Sequence, residues 1–401
     1  MNILFVVPRL PYPLDAGGKI RTYNLLKQAA DVHRVTLLSF VFGDEPIGYR
    51  SVFRDFGVPV VSVYGRDAIS AETAVTAMTK NLPLSVAKYR SYAMAQAIIR
   101  EVRQGRIDLV HFDHIHMGQY LRLLPGVPAV VDEHNVECLI LKRLAQHEKN
   151  LAKKIAIGWE YEKMRSLERK VCRKAFRVFV VSGEDGRNLA EISGGGVKYE
   201  VIPNGVDTEY FRISNLEPQT SGENALVFTG SMDWVPNSDA VLYFSNEILP
   251  LIWKERPDVQ FYVVGKNPPE SVMALERKDR RIVVTGGVAD VRPYEAQAKV
   301  FVVPLRIGGG TRLKILEAMS MARPVLSTTI GAEGIGAKEG VHLELADKPE
   351  DFAAKALSLL RDETRRRLLG ENGRKFVCER YDWKIIGKKA AEVYEQLVPV
   401  A

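Results

Sequence analysis

Three cysteines in 401 residues (Cys138, Cys172 and Cys378) are too few and too far apart for a disulfide framework, and they match no zinc spacing. A reducing compartment follows as the expectation. No apolar run approaches the ~20 residues of a membrane span. The apolar opening Met1 to Val7 lacks a basic n-region and a small-residue cleavage site, so it reads as a first strand and not as a signal peptide. Several chemical signatures are missing as well. There is no G-x-G-x-x-G after a strand, and no Gly-Lys pair sits in a G-x-x-x-x-G-K-[ST] loop. No G-x-S-x-G elbow occurs, and no two aspartates stand one residue apart to hold a metal-bound nucleotide. These absences argue against a dinucleotide oxidoreductase, a P-loop hydrolase and an α/β serine hydrolase.

What is present is an ordinary globular composition, 46% hydrophobic and 26% charged, in a chain long enough for two to three domains. The net charge is +7. Between Leu141 and Lys174 eleven basic residues stand against four acidic ones, so this segment alone matches the whole excess. Two readings stay open: a surface for an anionic membrane or acidic ligand, or a solvated helix face laced with ion pairs. Nucleic acid is not an expected partner.

Apolar runs of strand length alternate with helical stretches. Ile3 to Val7, Val35 to Phe40, Asp108 to Phe112, Ala129 to Val131 and Val178 to Val181 read as strands, and Gly17 to Ala30 as a helix. Such alternation predicts a doubly wound parallel sheet. Glu137 to Lys174 has helical composition, with a bend expected at Gly158 and Trp159. The turn residues of Val201 to Asp207 and the polar stretch from Ser214 to Asn224 mark a linker. A second series follows: Ala225 to Thr229, Val259 to Val264, Ile282 to Val284, Val300 to Val303 and Val325 to Ser327. The expected organisation is α/β, with one Rossmann-like domain over residues 1–205, a second over 206–382, and a terminal helix over 383–401 that completes the first.

The strongest chemical signal runs from Pro304 to Met319. Gly308, Gly309 and Gly310 let backbone approach a ligand closely. A helix expected to start near Thr311 offers free N–H groups and a positive dipole end to an anion. Arg312 and Lys314 add cationic charge, and Glu317 leans back toward the helix start, where it can accept hydrogen bonds from a ribose. In the first half, Gly17 and Gly18 lie between a strand and a helix. Asp113, His114 and His116 follow one strand, and Asp132 to Glu137, with His134, follow the next. They lie at the carboxyl edge, where α/β folds bind ligands. Metal binding by His134 and Glu137 is the weaker rival, since His and Glu at i, i+3 are common.

With Ala322-Arg323-Pro324-Val325 and Gly331-Ala332-Glu333-Gly334 after it, the Pro304 to Met319 stretch resembles the donor-site signature of retaining family 4 glycosyltransferases of the GT-B fold. Val201 to Asp207 is similar to their linker, Pro8 to Arg21 to their first glycine loop, Phe228-Thr229-Gly230-Ser231 to the first strand and loop of their nucleotide domain, and Tyr381-Asp382-Trp383 to the start of their C-terminal helix. The resemblance implies two Rossmann-like domains facing across a cleft, and sugar transfer with retention from a nucleotide-diphosphate sugar to a glycan or lipid-linked acceptor. No cofactor or metal is implied beyond the donor. It implies Gly17, Gly18, Gly230, Ser231, Lys266, Gly309, Gly310, Thr311, Arg312, Leu313 and Glu317 at the donor, and Asp113, His114 and His134 as candidates for the acceptor chemistry.

Three positions depart from the family pattern. Gly309 stands where a second Glu is usual, and Ser231 and Pro236 stand where an Arg and a Lys on the diphosphate are frequent. Arg312, Lys314 or Lys266 must then supply the cation. This Gly-Gly-Gly-Thr-Arg-Leu-Lys version looks like a subgroup associated with cell-surface polysaccharide synthesis, which implies a cytoplasmic protein peripheral to the inner membrane face. A GT-B nucleotide-sugar epimerase and a non-catalytic surface-binding protein of the same fold stay open as alternatives.

Overall fold

A computed structural model describes residues 1–43, 48–65, 68–213, 224–308 and 311–398. Gly309, Gly310 and most of the expected linker therefore lie outside the described residues. The chain divides into two compact units, Met1–Asn204 with Trp383–Ala401, and Gly205–Asp382.

The first unit is built on seven parallel strands: β1 (Asn2–Val7), β2 (Arg34–Phe42), β3 (Val60–Gly65), β4 (Leu109–Asp113), β5 (Ala129–Glu133), β6 (Arg177–Val180) and β7 (Tyr199–Val201). Their order is β3-β2-β1-β4-β5-β6-β7, so the winding reverses between β1 and β4. Both faces are covered. Leu4 and Val6 enter one apolar cluster, Ile3, Phe5 and Val7 the other, which is why these strands read as unbroken apolar runs. Four positions of β3 are only partly buried and one is exposed, so its edge position hides it from an apolar-run search. β7 has only three residues and escapes the same search.

The expected break at Gly158 does not occur. The segment forms two helices, Glu137–His147 and Leu151–Lys174, and Gly158 lies inside the second. The break falls at Glu148 to Asn150, where the Asn150 side chain accepts from the Lys153 N–H and caps the new helix. The terminal helix Trp383–Leu397 packs on the helix Gly17–Ala30. Trp383, Ile386, Ala390, Val393, Tyr394 and Leu397, spaced three and four apart, enter the core of the first unit. Each large apolar side chain among them contributes about 1.5–3 kcal/mol by leaving water.

The second unit has six parallel strands: β8 (Ala225–Thr229), β9 (Gln260–Val264), β10 (Ile282–Gly286), β11 (Val300–Val303), β12 (Val325–Ser327) and β13 (Glu344–Leu345). The order β10-β9-β8-β11-β12-β13 reverses between β8 and β11. β13 has two residues and no sequence signature. Each unit thus has one topological switch point, the place where open α/β sheets bind ligands beyond the strand ends.

Candidate functional site

In the first unit the switch point lies between the ends of β1 and β4, and a charged network fills it. Arg21, on the helix Gly17–Ala30 and fully buried, donates to both oxygens of Asp132 at the end of β5, at 2.9 and 2.7 Å. Its remaining nitrogen reaches the Pro203 carbonyl at 3.0 Å and the Asn204 side chain at 3.2 Å. His134 Nε2 lies 2.9 Å from Asp113 Oδ1 and 3.4 Å from Asp132 Oδ2. Burial works against its charge, but the two aspartates outweigh it and raise its pKa to about 9. Burial likewise opposes ionisation of Asp113, yet His114 and His134 hold that carboxyl well below its usual range. Thr22 Oγ1 donates to the same Asp113 oxygen at 2.8 Å.

His114 is the open member of this network. Its Nδ1 is 2.8 Å from Asp113 Oδ2, and a quarter of the side chain remains exposed. With Nδ1 as the donor to Asp113, Nε2 carries a lone pair and can accept a proton. Its backbone φ is +62°, a left-handed conformation costing about 1–2 kcal/mol for a residue with a Cβ. Its ring centroid lies 3.6 Å from that of His134, the two planes tilted by 36°. Gly18 makes room for both: a Cβ there would come within 3.1 Å of His114 Nε2 and 3.4 Å of His134 Nδ1. Gly17 is exposed at the first helical position, behind an Ala16 whose side chain caps nothing.

His111 and His116 belong to the packing. His111 stacks on Phe5 and bonds Tyr394 at 2.9 Å, and burial lowers its pKa to about 4. Burial lowers that of His116 to about 3. Two sets of side chains could hold a metal among the described residues: Asp113, His114 and His134, or His111, Asp113 and Asp132, with ligand atoms within 4.8 Å. In the first set those atoms already bond one another.

In the second unit the switch point lies between the loops after β8 and β11. The helix after the glycine loop runs Leu313–Ser320, with an extended Arg312 as its N-cap. The expected start at Thr311 is therefore two residues early: Arg312 leaves helical geometry (φ −84°, ψ 103°), and Thr311, itself buried, lies before the cap. The two cations of the motif part company here. Arg312 turns to the Ile330 carbonyl at 3.3 Å and to Glu333 at 3.9 Å. Lys314 reaches toward the loop after β8, where its Nζ donates to Asn237 Oδ1 at 2.9 Å and lies 3.8 Å from the Phe228 ring centroid. Asn237 in turn donates to the Ser231 carbonyl at 2.8 Å. Gly230 is required at this approach, because with φ at +152° a Cβ would meet Lys314 Nζ at 2.7 Å and Asn237 Nδ2 at 2.8 Å. Lys266 adjoins the same loop, its carbonyl accepting from the Met232 N–H at 2.8 Å.

Glu317 lies one turn beyond Lys314 on the same helix. Burial dominates in both: it raises the Glu317 carboxyl to about 7 against the pull of Lys314, and lowers the Lys314 ammonium to about 7 against the pull of Glu317 and Glu295. Both keep part of their surface open. Glu295, on the helix Arg292–Gln297, is fully buried, and burial followed by the Glu317 charge raises its pKa well above the usual range. Leu313 packs against the core. Arg21, Thr22, Asn237 and Glu295 were not evident from sequence. Their partners are remote in the chain, 111 residues apart for Arg21 and Asp132 and 77 for Asn237 and Lys314.

Comparison with known proteins gives these sites a context. Residues 16–210 match the profile described as "Glycosyltransferase Family 4", and residues 223–362 that described as "Glycosyl transferases group 1". A protein of Klebsiella pneumoniae, "Uncharacterized 44.6 kDa protein in cps region", is 22% identical over 96% of this chain and 97% of its own. An "MMP alpha-(1->4)-mannosyltransferase" of Mycolicibacterium hassiacum is 23% identical over 83% of this chain and 80% of its own. Among solved structures, Anabaena Alr3699/HepE in complex with UDP superposes with a TM-score of 0.70 at 14% identity, covering 99% of this chain and all of that one.

Proposed function

This chain belongs to the family 4 glycosyltransferases of the GT-B fold, and from that premise we propose that it transfers a sugar from a nucleotide-diphosphate sugar to an acceptor hydroxyl, with retention and without a metal. The second unit takes the donor. The observation that carries this reading is the placement of Lys314 and Glu317 one turn apart on a helix whose start adjoins the glycine loop, with Lys314 turned onto the loop after β8.

Lys314 supplies the cation that Ser231 and Pro236 do not. An arriving diphosphate restores the charge that burial draws out of Lys314. The free N–H groups at the start of Leu313–Ser320 add their dipole. Glu317, once ionised, accepts the two ribose hydroxyls. Together these groups stabilise the negative charge that grows on the departing diphosphate, which is the main electrostatic task of the reaction.

The first unit handles the acceptor. Asp113 fixes the His114 ring, and the open Nε2 orients the acceptor hydroxyl. His134, raised to about 9 by Asp113 and Asp132, stays a cation at neutral pH and serves as a positioning group rather than as the base. The acceptor class is a glycan or lipid-linked glycoconjugate, in keeping with a Corynebacterium glutamicum relative whose name gives it as a phosphatidylinositol monomannoside mannosyltransferase.

The test is a panel of UDP- and GDP-sugars incubated with glycan and lipid-linked acceptors, with and without chelator, the product anomer being read by NMR. Retained configuration and chelator-insensitive turnover are expected. Turnover without acceptor would identify an epimerase, and failure to bind any nucleotide sugar a non-catalytic relative.

A further inference from the structure

The basic segment singled out in the sequence has a second property that only the structure displays. The first two turns of the helix Leu151–Lys174, residues 151–156, are exposed throughout. Leu151, Ile155 and Trp159 stand four residues apart, so they form one stripe, and they are 71%, 54% and 71% exposed. The stripe points away from the packed side of the helix, which carries Met164, Leu167, Val171 and Cys172 into the core. Three large apolar side chains in a row facing solvent gain nothing there, and such patches mark interaction surfaces.

The surrounding charge says what covers them. Lys163 pairs with Glu160 and Arg165 with Glu162. Among the described residues Lys149, Lys153, Lys154, Arg169, Lys170 and Arg173 have no carboxylate within salt-bridge distance. At 100° per residue Lys154 borders the stripe, the exposed Arg169, Lys170 and Arg173 continue its face toward the end of the helix, and Lys153 lies on the opposite side. An apolar strip bordered by uncompensated cations on an anchored helix fits the headgroup region of an anionic bilayer. The apolar side chains enter the acyl boundary while the ammonium groups stay with the phosphates. A neutral protein partner would leave those cations unmatched. The neighbouring helix Ala71–Thr79 adds exposed Val75 and Met78; it packs on the helix Leu84–Ala87, whose Leu84 N–H donates to Glu160 at 2.7 Å.

We propose that the Leu151–Trp159 stripe and the cations on its face dock this chain reversibly on an anionic lipid surface. No residue of the stripe belongs to the donor or acceptor site, so failure of the functional reading would leave this one standing, and the reverse.

The experiment is flotation of the full chain with vesicles of phosphatidylglycerol and phosphatidylcholine, or of phosphatidylcholine alone, at low and high salt. Binding is expected to the anionic vesicles only and to weaken with salt, since the attraction decays within a Debye length. Lys154→Ser with Arg169→Ser lowers the vesicle partition by about 25-fold at low salt, roughly five-fold per cation. Leu151→Ser, Ile155→Ser and Trp159→Ser combined lower it at least ten-fold. All five residues are exposed, so unchanged thermal melting confirms that each variant is folded. Equal binding to both vesicle types, no binding to either, or variants that bind like the parent would overturn the proposal. So would a concentration-dependent dimer that the apolar variant abolishes, because the stripe would then cover a second copy.

Discussion

At the switch point of the first sheet the charged and polar groups answer one another. Arg21 holds Asp132, Asp132 and Asp113 hold His134, and Asp113 holds His114. At the switch point of the second sheet, by contrast, Lys314 and Glu317 are both pushed toward neutrality by burial, and Glu295 further still. The topology is the same and the electrostatic state is opposite. A closed network is organised before any ligand arrives and acts by position. A set of partly neutralised groups with open surface is completed by a ligand that brings its own charge. On this account the first unit carries stability in its site, and the second carries affinity.

The largest expected effect comes from breaking the closed side. Arg21→Met leaves Asp132 buried without its guanidinium, and removing one member of such a pair costs about 3–5 kcal/mol, a large share of ordinary domain stability. Chemical denaturation should report this loss in the first unit, while nucleotide affinity in the second stays unchanged. A variant of parental stability would show that the network is not closed.

Next is the open side. Glu317→Ala should weaken nucleotide binding by about 1.5–3 kcal/mol, the range for hydrogen bonds to a charged group, with little change in melting temperature. Lys314→Met should weaken binding of the nucleoside diphosphate and leave that of the nucleoside alone nearly unchanged.

The pH responses separate the sites more finely. His134 has a folded pKa of about 9 against 6.5 ordinarily, so its contribution is complete below 6.5 and is lost as pH rises to 9. Glu168, raised to about 8 chiefly by burial, acts in the same direction. Asp113 and Asp132 lie below their usual range, so their contribution is present above about pH 4 and is lost as pH falls through their folded values. Melting temperature of the first unit should therefore fall on the alkaline side above 6.5. Nucleotide affinity should instead peak near pH 7. Glu317 protonates below that point and Lys314 loses its charge above it. Glu317→Gln should flatten the acid limb and Lys314→Met the alkaline one, as read by titration calorimetry across pH.

The two sites were unequally legible in the sequence, and for the same reason. The open site is local: Thr311, Arg312, Lys314 and Glu317 lie within seven residues, and their spacing alone puts charges at a helix start. The closed site is assembled from Arg21, Asp113 and Asp132, brought together by parallel pairing of β4 and β5 and by the helix after β1, so only its strand-end positions could be read. The strands followed the same rule. β8 and β11 are buried at every position and stand out as apolar runs. The edge strand β3 and the two-residue β13 do not. Lys314 was one of three candidates for the missing cation. Its turn toward Gly230 depends on Asn237, from a helix with no sequence link to the motif.

The central claim is that the second unit binds a nucleoside diphosphate through Lys314 and Glu317. It is tested most directly by calorimetric titration of UDP and GDP into the parent chain, Glu317→Ala and Lys314→Met at pH 7 with chelator present. The account predicts one saturable site in the parent for at least one of the two nucleotides, and roughly ten-fold or greater weakening in each folded variant. Parental affinity in both variants, or binding that appears only when a divalent metal is restored, would contradict it.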